Sequence, residues 1–411
     1  WMSLGSIQGL TQGFSIRMAQ QFGAKDEDGL HQAVGHSIVL SALLAVLLTI
    51  VFQAAVCPVL AILQTPEDIK PDTILYLRIL FTGIPIVVAY NLLASMLRAI
   101  GDSKTPLIAT AIAAASNIVL DLLFVCVFGW GIAGAAWATA IGQVVSFAIC
   151  AIYFFKPKSF RLKKSSFVPN LPILSKMINL GAATFITQIS IVAVTLVCNM
   201  TLARYGALSK YGPDIPISVF SIQTKVYTIV LNIVTGIVLG GQPIFGYNYG
   251  AKRMDRVREA YKIVFRATLI TGITATIIFQ LWPKEVVGIF GSGNELYQEF
   301  AVKTFRIYLS LVTVTCLVKM TAVFFQSIGK SKYAVMASVI RDIVCFTPLA
   351  IILPSVLEGA EVGTGINGIL YAAPISDLVA IVVILILTIS FFHKLNKETE
   401  VEVEKQEKLV V

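Results

Sequence analysis

The chain has 411 residues, 56% hydrophobic and only 13% charged, with a formal net charge of +9 and a mean hydropathy of +0.82. A water-soluble globular chain carries about 25% charged residues, so a soluble domain is excluded. The apolar residues fall in runs of about 20 or more between short polar connectors, the pattern of a polytopic α-helical membrane protein, and they lack the alternation over about ten residues that a membrane β-barrel needs.

In chain order the pattern predicts eleven helices, over residues 1–22, 35–62, 73–99, 105–128, 131–155, 173–203, 215–248, 259–282, 297–327, 333–356 and 366–392. Sorting the connectors alternately puts about 21 Lys and Arg in one set and about 4 in the other. Lys25, Lys104, Lys156, Lys252, Lys332 and Lys394 are in the rich set, and Lys70, Arg204, Lys210 and Lys284 make up the poor one. The rich set, carboxyl terminus included, is expected in the cytoplasm. The same asymmetry argues against a nucleic-acid surface, which would gather its charge on one face of a domain.

The chain repeats itself. Gly9-x-x-x-Gly13 followed by Gly23-Ala24-Lys25 returns as Gly236-x-x-x-Gly240 followed by Gly250-Ala251-Lys252, at a shift of about 227 residues. Ile100-Gly101-x-Ser103-Lys104 returns as Ile328-Gly329-x-Ser331-Lys332, and Gly131-Ile132-x-Gly134 as Gly365-Ile366-x-Gly368. Three matches in one order at a nearly constant shift indicate a duplication. Residue 1 aligns inside the second half, so about 50–60 further residues and a twelfth helix are expected ahead of Trp1. The expected fold is all-α: two six-helix bundles related by a pseudo-two-fold axis along the membrane normal, with eleven helices in this chain. The expected domains are an amino-terminal bundle over 1–155, a basic cytoplasmic linker over 156–172, a carboxyl-terminal bundle over 173–392 and a cytoplasmic tail over 393–411.

Gly23 and Gly250 fit helix C-cap positions, and Pro85, Pro243 and Pro374 should bend their helices. The six cysteines lie in apolar segments without a CxxC pair and read as small buried hydrophobes. The histidines, His31, His36 and His393, have no partner at ligand spacing.

Asp121 is the residue to explain. At 1.5 Å per residue it lies about 24 Å beyond Thr105, inside a hydrocarbon layer about 30 Å thick and too far from its end to snorkel easily. An ionisable group at that depth is costly and is usually kept for moving an ion or a substrate. Asn117 lies four residues earlier on the same helix face, and amide plus carboxylate oxygens suit a proton or a hard cation such as sodium. Thr139 and Asn91, on neighbouring helices, could complete a cation shell or simply hydrogen-bond between helices. The second half carries Lys319, Arg341, Asp342 and Asp377 at comparable depth. They are expected to pair, either as a structural charge cluster or as a gate or second coupling site. Arg17 and Lys225 are long enough to snorkel or to face water. No HExxH, GxSxG or P-loop occurs, so neither an enzyme nor a nucleotide-driven pump is expected. No cofactor is expected beyond sodium or a proton as the coupling ion.

The stretches GGQPIFGYNYGAK at 240–252, LRAIGDSKTP at 97–106 and GIAGAAWATAIGQ at 131–143 resemble the multidrug and toxic compound extrusion (MATE) family, bacterial type. The resemblance covers essentially the whole chain. It implies a V of two six-helix bundles in the cytoplasmic membrane. It also implies export of organic cations or drugs against sodium or protons by alternating access, by a monomer whose partners are its small-molecule substrates and the bilayer. In family members with an amino-half ion site an Asn and an Asp four apart bind the cation, and Asn117 and Asp121 match them, with sodium as the metal if coupling is to sodium. Thr139 and Asn91 match further members of that network. A first-helix aspartate of the family site would precede this chain, and the seventh-helix glutamate of other members has no counterpart in 173–203. The alternative is a flippase for lipid-linked precursors or polysaccharides, built on the related two-bundle plan.

Overall fold

The computed structural model describes residues 2–62, 67–154, 164–167, 170–291 and 293–410. The first half runs α1 (Met2–Gly23), α2 (Glu27–Ile62), α3 (Lys70–Thr82), α4 (Ile84–Ala99), α5 (Lys104–Asp121) and α6 (Gly131–Phe154), with a π-helical turn, Leu122–Val127, prolonging α5. A 3-10 turn, Lys164–Phe167, precedes α7 (Leu171–Leu208) and α8 (Asp214–Gly250). There follow α9 (Met254–Leu281), the short α10 (Pro283–Gly288), α11 (Glu295–Tyr308), α12 (Val312–Ser327), α13 (Ser331–Val339), a π-helical stretch Ile340–Phe346, α14 (Thr347–Ala360) and α15 (Gly365–Val410). Among the described residues eight helices are long and apolar enough to cross a membrane, or up to ten if each bent pair is one span. The first helix, α1, is not among these spans; its serines, glutamines and Arg17 lower its hydropathy.

Two expected helices are broken. Helices α3 and α4 meet at 42°, and α11 and α12 at 48°. The first break follows from Gly83-Ile84-Pro85: proline offers no N–H to the turn before it. The second lies at 309–311 without any proline, at the position that the repeat shift assigns to the first. Pro243 and Pro374, by contrast, lie inside helices that run on through them. Helix α2 starts at Glu27 rather than at 35, because Glu27 and Asp28 suit the positive end of a helix dipole. Helix α15 continues through Val410, so the expected tail from 393 is helical as far as that residue. The core of the expected linker, residues 156–163 and 168–169, lies outside the described residues.

The chain divides into two compact units, Trp1–Phe185 with Gly246–Lys252, and Ile186–Phe245 with Arg253–Val411. In unit 1, α1, α2, α4 and α6 close around Met18, Ala33, Val34, Met96, Leu97, Cys150 and Phe154. Unit 2 is held at one end by aromatic rings, with Phe324 packed edge-on against Phe245, Tyr261 and Phe391 at centroid separations of 5.1, 4.8 and 5.8 Å. Large apolar side chains such as Leu47, Ile50, Ile118, Ile270 and Ile386 point outward instead, as a bilayer-facing surface requires. A polar clasp ties the α7–α8 loop to α11: Lys210 Nζ donates to both oxygens of Glu299 at 2.7 and 2.8 Å, and Tyr211 Oη donates to Oε1 at 2.8 Å.

The repeated motifs have physical reasons. Gly101 and Gly329 both take a left-handed φ, +95° and +80°. Each closes a helix end in the same way, with the next residue's N–H reaching five residues back: Asp102 to Leu97 O at 2.9 Å, Lys330 to Phe325 O at 2.8 Å. Gly23 and Gly250 do end their helices, but the left-handed residues of those turns are Lys25 and Lys252, at φ 55° and 57°. What the glycines supply is close approach. A Cβ on Gly23 would lie 2.0 Å from Tyr247 O, and one on Gly250 2.0 Å from Gln20 O. The two helix ends cross reciprocally, each glycine against the carbonyl three residues before the other.

Candidate functional site

Helix α5 starts from a cap built by Asp102, whose carboxylate accepts from the N–H groups of Lys104 and Thr105 at 3.1 and 3.0 Å and from Thr105 Oγ1 at 2.6 Å. One face of α5, with Leu107, Ile108, Ile118 and Val119, is exposed, and Leu122 of the π-helical turn continues it. The other carries Ala109, Ala113, Asn117 and Phe124 against α6. Gly142 of α6 permits this approach: a Cβ there would come within 3.3 Å of Ala113 O and 3.6 Å of Asn117 Cβ.

On that face the structure joins two of the expected residues. Asn117 Nδ2 donates to Thr139 Oγ1 at 3.5 Å, and Thr139 Oγ1 donates to Ala135 O at 3.1 Å. Asp121, one turn beyond Asn117, is half-buried, and its Oδ1 is shielded from solvent with no hydrogen-bond partner among the described residues. Asn91 does not join the set by a hydrogen bond; its Nδ2 is spent on Val87 O of its own helix at 2.8 Å. Among the described residues no three His, Cys, Asp or Glu side chains converge, so a cation held here would take amide and hydroxyl oxygens around a single acid, a hard-cation donor set. The π-helical turn begins immediately after Asp121, and Phe128 N donates five residues back to Leu123 O at 2.9 Å. Such bulges recur at functional sites. No residue type in the run LLFVCV announces it.

The carboxyl-half residues form a different arrangement. Arg341 Nε donates to Asp377 Oδ1 at 2.9 Å and Nη1 to Asp342 Oδ1 at 2.8 Å, while Nη2 reaches Thr315 Oγ1 at 3.2 Å. Thr315 in turn donates to Asp377 Oδ1 at 3.1 Å. The arginine and aspartate side chains are 11%, 12% and 2% exposed, in the order Arg341, Asp342, Asp377. All three nitrogens of the guanidinium are used, and the second π-helical stretch supplies both Arg341 and Asp342. Thr315 was not singled out from sequence; its position one turn before Lys319 on α12 is the signal that could have found it. Lys319 departs from the expected pairing: no carboxylate among the described residues lies within 4.0 Å of it.

The MatE family model matches residues 1–123 and 183–352. The multidrug export protein MepA of Staphylococcus aureus is 24% identical over 411 residues, covering 98% of this chain and 85% of that protein. The probable multidrug resistance protein YoeA of Bacillus subtilis is 25% identical over 295 residues, which span 70% of this chain and 62% of YoeA. Among solved structures, an outward-facing multidrug resistance MATE family transporter of the MOP superfamily superposes with a TM-score of 0.87 at 23% identity, covering 96% of this chain and 86% of that one. A MOP superfamily transporter from Pyrococcus furiosus, described as having a binding pocket of reversed polarity, gives 0.86 at 22% identity. The chain is a multi-pass α-helical membrane protein and belongs to the MatE family.

Proposed function

We propose that this protein is a secondary active antiporter that exports organic cations and drugs in exchange for sodium or protons by alternating access. Family membership supports transport rather than catalysis, and the relatives named for multidrug export support the substrate class. The observation that carries the coupling is the shielded, unpartnered Oδ1 of Asp121 beside the Asn117–Thr139 pair. A carboxylate oxygen shielded from water without a partner is costly, and a bound cation or proton relieves that cost. Asn117 and Thr139 offer uncharged oxygens to a cation at that acid, and Asn91 stands on the neighbouring helix as a further donor. Binding the ion neutralises Asp121, and losing it restores the charge, so ion occupancy and the preferred state of the protein are linked. The cargo would be small-molecule organic cations, handled by a monomer in the cytoplasmic membrane with its carboxyl terminus in the cytoplasm.

The test is dye efflux from vesicles containing the purified full chain, under an imposed sodium gradient and, separately, an imposed proton gradient. The antiport reading expects one of the two to drive efflux. Efflux that follows the dye gradient alone, indifferent to both ions, would overturn it.

A further inference from the structure

Helix α12 is enclosed along most of its length. From Thr315 to Ser327 every residue is buried except one, Lys319. The gap in the packing thus coincides with the only charged side chain of the helix. Lys319 lies about 12 Å from the Ser327 end of α12, beyond the reach of a lysine that snorkels to the interface. Its ammonium has no hydrogen bond and no ion pair among the described residues. Asp342 is the acid whose field reaches it, but Oδ1 of Asp342 is taken by Arg341 Nη1. Oδ2 of Asp342 has no hydrogen-bond partner among the described residues. Arg341, Asp342 and Asp377 together carry one negative charge, and Lys319, set apart from them, brings the cluster to neutrality. Unit 2 therefore presents a free ammonium one turn along α12 from Thr315, and a free carboxylate oxygen on Asp342.

An ammonium without a partner inside the membrane is costly, and such groups face water or a ligand. We propose that Lys319 recognises a carboxylate on the transported compound, with Oδ2 of Asp342 receiving the compound's cationic end. Unit 2 would then favour amphoteric, carboxylate-bearing compounds over their esters. This rests on the transport reading above and names a substrate class within it.

The experiment measures equilibrium binding to the purified full chain of an amphoteric xanthene dye with a free carboxylate, and of its methyl ester, by fluorescence polarisation. The wild-type protein is expected to bind the acid more tightly. Lys319→Met should weaken the acid about tenfold or more, as expected for losing a hydrogen bond to a charged group, while the ester still binds as in the wild type. Lys319→Arg should restore the preference, and Lys319→Gln serves if the Met variant fails to fold. Equal weakening of acid and ester, unchanged acid binding in Lys319→Met, or a wild type that does not distinguish the pair would overturn the proposal. Gradient-driven efflux of the ester reports on the antiport reading separately, because that compound lacks the group that Lys319 would hold.

Discussion

Unit 1 and unit 2 descend from one repeat, and they have treated their buried acids in opposite ways. The shift of about 228 residues that aligns Gly101 with Gly329 also aligns Asn91 with Lys319, Ala113 with Arg341 and Asn117 with Cys345. In unit 1 the result is one acid, Asp121, with an oxygen left open beside an amide and a hydroxyl. In unit 2 it is two acids, Asp342 and Asp377, whose counter-charge is built in as Arg341. A tethered guanidinium cannot leave, so in the second arrangement one of the two negative charges has a fixed partner, while the first must find its balance in a mobile ion. Backbone devices survived the duplication, as the left-handed glycines and the paired helix breaks show. The chemistry diverged on top of them.

The difference can be broken most decisively at Asp121. Asp121→Asn should abolish ion-driven efflux, a loss of at least about a hundredfold if the acid is the obligatory ion carrier, while the protein stays folded in detergent. Arg341→Met attacks the other side: leaving two buried carboxylates without their cation should destabilise the protein by about 3–5 kcal/mol, read as a lowered unfolding midpoint. Residual efflux by the surviving folded fraction should still respond to the ion gradient. Thr139→Val removes a neutral oxygen and should weaken the apparent affinity for the coupling ion about tenfold. Asn91→Ala should do less, because its amide is already bound to Val87 O. The smallest effect is expected at the Lys210–Tyr211–Glu299 clasp. The hydrogen bond to Glu299 holds the Lys210 ammonium above its usual range; burial, and then Glu299, hold the Tyr211 hydroxyl above its own. Both groups bind their protons more tightly when folded, so, wherever Glu299 is ionised, the clasp contributes fully up to about pH 10 and weakens as pH rises through the raised values. Hydrogen exchange at 209–213 should quicken there, and Glu299→Gln should remove most of that pH response.

Much of the architecture was legible in the sequence because bilayer insertion writes it in long apolar runs, and the repeats were legible because left-handed turns and close crossings demand glycine. The break at 309–311 was not, since it rests on tertiary packing and not on a proline. Nor were the two π-helical stretches: a single extra residue in a helix leaves no compositional mark. Asp121, Asn117 and Thr139 could be picked out because polar atoms at that depth are conspicuous. Charge depth alone could not tell that Arg341 would pair with both aspartates and leave Lys319 apart, because a guanidinium's several donors let one cation reach two acids.

The most direct measurement is the infrared difference spectrum of the purified protein on adding sodium or changing pH, which reads carboxyl groups that change protonation or cation ligation. The open acid should give the main signal: it should vanish in Asp121→Asn and persist in Asp342→Asn and Asp377→Asn. A signal that survives in Asp121→Asn, or one that disappears when Asp377 is replaced, would contradict the assignment of the exchanging acid to unit 1.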